Sequence, residues 1–221
     1  AWYRQLCKRP CFHDSYLQAF NTPGTHLVDT DGRGVDKITE NGIVVAGREY
    51  RLDCIIYASG FEVGTEYERR AGFDLTGRGG VKLSDYWGRG MRTKHGIHVH
   101  GFPNAFFVQP TQGANLISNV PHNLTEAATT IAAMVSHARV AGKKEIEVTK
   151  EAEDRWIELL LTGAGRMTGS QDCTPGYYNN EGHEPGPAAK LNVGYPAGPM
   201  AYFKYIDAWR SNGRFEGLEF R

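Results

Sequence analysis

The sequence predicts an α/β fold, and three observations carry that expectation. The stretch Asp53 to Phe61 reads Asp-Cys-Ile-Ile-Tyr-Ala-Ser-Gly-Phe, an acidic residue and a run of strand formers closing on small residues. It describes a buried strand whose exit lets another backbone or a cofactor approach, because Ala58, Ser59 and Gly60 present little side chain there. A strand ending in glycine serves an ordinary turn equally well. From Gly34 to Ala58, Val35, Ile38, Ile43 to Val45, Tyr50 and Leu52 flank turns at Glu40 to Gly42 and Ala46 to Arg48, the pattern of a β-meander. Further along, three segments repeat apolar residues at helical spacing.

Taken in order, residues 15 to 20 fit one helical turn, followed by extended Thr25 to Val28, the meander and the strand Cys54 to Ala58. Residues 62 to 95 are rich in glycine and charge without a sustained period, so irregular structure is expected, with a short helix near Leu83 to Trp87. Gly96 to His100 and Ala105 to Val108 read as extended runs separated by a turn at Gly101 to Pro103. The clearest helix spans about Leu124 to Ala141. Asn123 can cap it with Glu126 three residues on, and Leu124, Ala127, Ala128, Ile131, Val135 and Ala138 share a face. Gly142 ends it. A second helix spans about Lys150 to Leu161, with Thr149 as cap and Trp156, Leu159 and Leu160 at i, i+3 and i+4. Gly163 to Gly198 is dense in Gly, Pro and Asn and reads as a long loop. The last helix, about Met200 to Ser211, sets Tyr202, Tyr205, Ile206 and Trp209 on one face, and Gly213 stops it.

The 221 residues are 40% hydrophobic, enough for a real core. Lys+Arg and Asp+Glu are both 25, and the zero net charge gives no reason to expect nucleic acid or an anionic membrane as a partner. No apolar run approaches the ~18 residues of a membrane span. Cys7, Cys11, Cys54 and Cys173 lack metal-ligand pair spacing, so reduced thiols and a cytoplasmic location are expected. His98 and His100 would share a strand face, but no Cys or carboxylate joins them at useful spacing, and no metal site is expected. The Gly-x-Gly-x-x-Gly fingerprint that cradles a pyrophosphate does not occur, since Gly77-Arg-Gly-Gly80 has Lys82 where the third glycine belongs.

The strand exit resembles the Ala-Thr-Gly linker of two-dinucleotide-domain flavoprotein monooxygenases, with Ser59 where Thr is usual. The whole chain resembles Baeyer-Villiger monooxygenases. Four further blocks agree in order and rough spacing: Cys7-Lys-Arg-Pro10; Val28-Asp-Thr30 with Ile38-Thr-Glu-Asn-Gly42; Gly101-Phe-Pro-Asn-Ala-Phe-Phe107; and Ser118-Asn-Val120. The resemblance implies a partial two-dinucleotide-binding-domain flavoprotein, with residues 1–60 the end of an NADP-binding domain and 61–221 the C-terminal part of an FAD-binding domain. Residues 163–198 would be a loop that closes over the cofactor. Both fingerprints would lie in an upstream part of the same enzyme, which becomes a partner of this chain, and the chain alone would be inactive. FAD, NADPH, a ketone and O₂ are the implied ligands. The implied reaction converts a ketone to an ester or lactone. N- or S-oxygenation by a related flavin monooxygenase fits the Asp53 to Phe61 region equally well.

The same resemblance assigns site residues. Arg9 would stand by the flavin as the catalytic cation, a fixed guanidinium where negative charge develops when a ketone is attacked, and Lys8 would face a phosphate or ribose oxygen of the nicotinamide cofactor. Read without it, a Lys-Arg pair before Pro is a solvated surface turn. Gln109 to Val120 would approach the isoalloxazine ring, with Asn119 and Val120 as flavin contacts and Gln112 and Gly113 beside them. Otherwise it is a strand-to-helix loop in which Asn119 bonds its neighbours. Tyr177 and Tyr178 stand where many relatives have Trp-Tyr against the nicotinamide cofactor, and Tyr still stacks and donates a hydrogen bond there. Two adjacent Tyr also suit the anchoring of a loop to a core.

Overall fold

The structure, a computed structural model, describes residues 7, 11–60, 67–109, 111–115, 118–163, 173, 176 and 191–221. The chain divides into two compact units, one of residues 8–61 and the other of 1–7 with 62–221.

The smaller unit opens with a one-turn helix, α1 (Tyr16–Ala19), and continues into an antiparallel meander of β1 (Lys37–Thr39), β2 (Gly42–Val45) and β3 (Arg48–Arg51). Its register is Ile38 opposite Ile43 and Ile43 opposite Tyr50. Both expected turns form. Ala46 and Gly47 sit at φ of 49° and 78°, the two left-handed residues whose twist matches a two-residue hairpin. Gly42 is required by proximity, since a Cβ there would stand 1.9 Å from the Tyr50 carbonyl oxygen. The expected buried strand Cys54 to Ala58 does not form. A strand of that kind needs a neighbour on each side, and among the described residues none pairs with this segment. Its apolar side chains stand outward instead, Ile56 86% and Tyr57 73% exposed.

The larger unit contains α2 (Tyr67–Ala71), a short 3₁₀ turn at Arg78–Gly80, α3 (Leu83–Trp87), α4 (Val120–Val140), β4 (Ile146–Val148), α5 (Lys150–Leu161), α6 (Pro199–Ser211) and β5 (Leu218–Phe220). α3, α5 and α6 lie within a residue of the expected bounds. Thr149 caps α5 by accepting the Ala152 N–H at 3.2 Å. α4 starts four residues before its expected start because Asn119, not Asn123, is its cap, accepting the His122 N–H at 2.9 Å, and Pro121 is tolerated in the first turn. The extended runs around Gly96 to Val108 meet only through single bridges, Lys94 with His98 and His98 with Phe106.

Two apolar clusters hold this unit together. One joins Leu83 and Trp87 of α3 to Met91, Val99 and Phe102. The larger gathers Ala127, Met134 and Ala138 of α4, Trp156 and Leu160 of α5, and Tyr202, Ile206 and Trp209 of α6. Arg210 of α6 ties this layer to α4, donating to Glu126 at 3.0 Å and Thr130 at 3.2 Å. β4 and β5 pair antiparallel with Glu147 opposite Glu219, a like-charge juxtaposition that is unfavourable alone. Arg78 and Arg221 offset it, reaching Glu147 at 3.0 and 2.9 Å. Burial pushes the Glu147 carboxyl up, but the Arg78 hydrogen bond and charge, the Gly101 N–H and Arg221 outweigh it and hold it below the usual range. The expectation of four reduced thiols is corrected, because buried Cys7 and half-buried Cys173 form a disulfide across a Cα–Cα distance of 5.3 Å. Cys11 and Cys54 are exposed.

Candidate functional site

In the larger unit the loop between Gln109 and α4 is held by buried polar groups rather than by a sheet. Gln109 Nε2 donates to the Gly96 and Thr111 carbonyls at 3.2 and 3.1 Å. A Cβ on Gly96 would meet the Thr111 oxygen at 2.6 Å, so glycine permits this approach. Gln112 and Asn115 both take left-handed backbone, φ 62° and 66°. Asn115 offers its carbonyl to Asn123 Nδ2 at 2.9 Å and Ser118 Oγ at 3.1 Å, which folds the loop onto the first turn of α4. Asn119 uses its side-chain oxygen as cap and Pro121 has no N–H. The Val120 N–H therefore lies at the positive end of a 21-residue helix without an acceptor among the described residues.

Gln112 is bonded through both its side chain and its backbone. It is wholly buried. Its Oε1 accepts from Thr93 Oγ1 at 2.6 Å, and its Nε2 donates to the carbonyls of Met91 at 2.5 Å and Leu191 at 2.9 Å. Its backbone N–H donates to the Val193 carbonyl at 3.0 Å, and its own carbonyl accepts from Trp156 Nε1 at 3.1 Å. Beside it the Tyr195 N–H donates to the Gly113 carbonyl at 2.9 Å, so residues 191–195 run along residues 112–115. A Cβ on Gly113 would meet the Tyr202 ring at 3.0 Å, and one on Gly194 would meet Asn115 Cβ at 2.7 Å.

Beneath the loop, Tyr202 donates to the His95 carbonyl at 2.9 Å, and the His95 ring lies edge-on to Trp156 and Trp209. Burial, with the nearby Lys94 and His98, pushes His95 well below the usual imidazole range. Burial and Lys94 bring His98 down to about 3. Lys94 is itself lowered to about 8 by burial and by Arg155. Both imidazoles are neutral core groups. Among the described residues no cluster of three or more His, Cys, Asp or Glu could hold a metal ion.

The residues expected from sequence fall into three sets. Lys8, Arg9, Tyr177 and Tyr178 lie outside the described residues. Ala58, Ser59 and Gly60 are exposed, with Gly60 at φ 94°. Gln112 and Gly113 lie in the loop before α4, and Asn119 and Val120 are the cap and first residue of that helix. Within that set Gln112 is buried, with both its amide oxygen and its amide nitrogen bonded to protein groups. Thr93, Asn123, Trp156 and Tyr202, which shape the loop, are not tied to it by the sequence. A surface groove of about 720 Å³ lined by Tyr67, Phe73, Leu75 and Phe102 to Val108 touches none of the expected residues.

No family profile matches the sequence. Among curated proteins, the FAD-binding monooxygenase hmp7 of Hypomyces subiculosus is 44% identical over 219 residues, 99% of this chain and 36% of its own length. The Baeyer-Villiger monooxygenase ATR8 of Stachybotrys chlorohalonatus is 41% identical over 218 residues, 98% of this chain and 35% of its own. The solved polycyclic ketone monooxygenase of Thermothelomyces thermophila superposes on all of this chain and 36% of its own, with a TM-score of 0.85 and 37% identity. A crystal structure of OTEMO in complex with FAD and NADP covers 97% of this chain and 38% of its own, with a TM-score of 0.68 and 26% identity. The chain thus spans a little over a third of the length of the relatives it matches. Along its whole length the chain is similar in sequence and in fold to proteins named as FAD-binding, Baeyer-Villiger and polycyclic ketone monooxygenases.

Proposed function

We propose that this chain forms part of an FAD- and NADPH-dependent Baeyer-Villiger monooxygenase that converts ketones to esters or lactones. The observation that carries the reading is identity above 40% along the whole chain to proteins named FAD-binding monooxygenase and Baeyer-Villiger monooxygenase. The overall reaction balances as ketone, O₂, NADPH and a proton giving ester, water and NADP⁺. The chemistry that a bound flavin supplies is reduction by NADPH and delivery of one oxygen atom of O₂ to the ketone.

The residues present suit such a group. The Val120 N–H at the start of α4 is a donor at a helix N-terminus, where a carbonyl acceptor or a developing negative charge is favoured. Gly113 and Val120 would face the ring, with Asn119 beside them as helix cap. Ala58, Ser59 and Gly60 would leave room for backbone approach, and Lys8, Tyr177 and Tyr178 would bind the nicotinamide cofactor. Arg9 would hold its positive charge where the carbonyl oxygen becomes anionic, which lysine does less dependably in a water-poor site. A cytoplasmic location accords with soluble cofactors and substrate.

The test uses the complete enzyme with NADPH, ¹⁸O₂, a cyclic ketone and an aryl sulfide. The expected product is a lactone one labelled oxygen heavier than the ketone, and Arg9→Ala lowers its rate by 10²-fold or more, as removal of one oxyanion stabiliser does. Sulfoxide without lactone would overturn the reading in favour of a heteroatom oxygenase.

A further inference from the structure

We infer that Gln112 is a positioning residue that sets the geometry of the flavin-facing loop from inside the core. The inference rests on the reading of Gly113, Asn119 and Val120 as flavin contacts. It differs in giving Gln112 no contact with the flavin.

The argument starts from cost. A primary amide taken out of water loses its hydrogen bonds to solvent, and burial is tolerated only where protein groups replace them. Left-handed backbone is a further cost for a residue with a Cβ. Gln112 carries both at full burial, and loops of this kind ordinarily place a glycine at such a φ. What glutamine adds over glycine is a set of bonds to segments distant in sequence. Its side chain reaches Met91, Thr93 and Leu191, while its backbone reaches Val193 and Trp156.

The consequence is rotational. With Oε1 and Nε2 both bound, the plane of the side chain is fixed, and with the N–H and C=O also bound, so are the peptide planes on either side. The next residue is Gly113, which has no side chain to steer it and lies against the Tyr202 ring. With the Gly113 carbonyl held in turn by the Tyr195 N–H, the direction in which the chain leaves toward Asn115 is set at Gln112. Thr93 belongs to the same device, because its hydroxyl donates to Gln112 and accepts the Gly96 N–H at 3.0 Å. An apolar side chain of equal size fills the same space and leaves the carbonyls of Met91 and Leu191 without their donor.

The experiment compares Gln112→Met, Thr93→Val and Leu83→Ala in the complete enzyme, the last placed in the separate cluster around α3. Amide hydrogen exchange on cofactor-free protein is the first readout. Gln112→Met should speed exchange at residues 113–115 and 193–195 by at least tenfold, with α6 unchanged, and Thr93→Val should do so to a smaller degree. FAD titration is the second. Gln112→Met should weaken FAD binding by about tenfold and raise the fraction of NADPH oxidised to hydrogen peroxide instead of ester, whereas Leu83→Ala should lower the melting temperature without either change. Wild-type exchange and wild-type FAD affinity in Gln112→Met overturn the inference, as does an equal loss of FAD affinity in Leu83→Ala. If Gln112→Met does not fold, Thr93→Val decides by the same two readouts. A wild-type enzyme that binds no FAD defeats the monooxygenase reading instead, and the exchange result separates the two failures.

Discussion

His95 and His98 show what burial does to a titratable group. An imidazole ordinarily near 6.5 is held at about 3 in His98 and well below its usual range in His95, so both stay neutral while the chain is folded. The unfolded chain protonates them near 6.5 and the folded chain does not. It therefore binds more protons through that window, and stability falls as pH drops from about 6.5 toward 3. Between pH 7.5 and 5.5 the loss should be about 1–3 kcal/mol for the pair, before carboxylates begin to titrate. Urea midpoints at those two pH values measure it, and His98→Phe should reduce the dependence. A midpoint that does not move would mean that one or both rings take up a proton in the fold. Gln112 shows where residue-level reading stops. Its place in the loop before α4 was legible, but nothing in Pro-Thr-Gln-Gly tells whether an amide turns outward or inward to Thr93, since its partners lie 19 and 79 residues away.

At the scale of elements, the helices were legible where a cap and a periodic face coincide, as in α5 with Thr149 and Trp156. α4 was misplaced at its start because two asparagines compete there. Asn123 precedes the periodic run and looks like the cap, yet it is buried within the helix, donating to Asn115 and accepting from Ser118 at 3.0 Å. The two roles separate on substitution. Asn119→Ala and Thr149→Ala should each cost about 1 kcal/mol, the ordinary value of a lost cap. Asn123→Ala should cost about 1–3 kcal/mol because it removes a buried amide that donates to the Asn115 carbonyl and accepts from Ser118. Denaturation with a common slope ranks the three, and equal effects would refute the distinction. β4 and β5 escaped notice because three residues are too few to show alternation. The run Cys54 to Ala58 was read by its composition, but apolar composition makes a strand only where other strands flank it.

At the scale of the whole molecule, one disulfide joins residues 166 apart in sequence. Four scattered cysteines carry no sign of which will meet. Linking residues so far apart restricts the unfolded chain strongly, by about 2–5 kcal/mol on the loop-entropy account. Cys7→Ser should lower the melting temperature, and a reducing agent should lower that of the wild type equally while leaving the variant unmoved. The same link has a consequence for cleavage. A protease that nicks the backbone anywhere from Lys8 to Asp172 severs the polypeptide without releasing either piece, so the cut chain keeps its full mass on a gel until dithiothreitol is added and two bands appear.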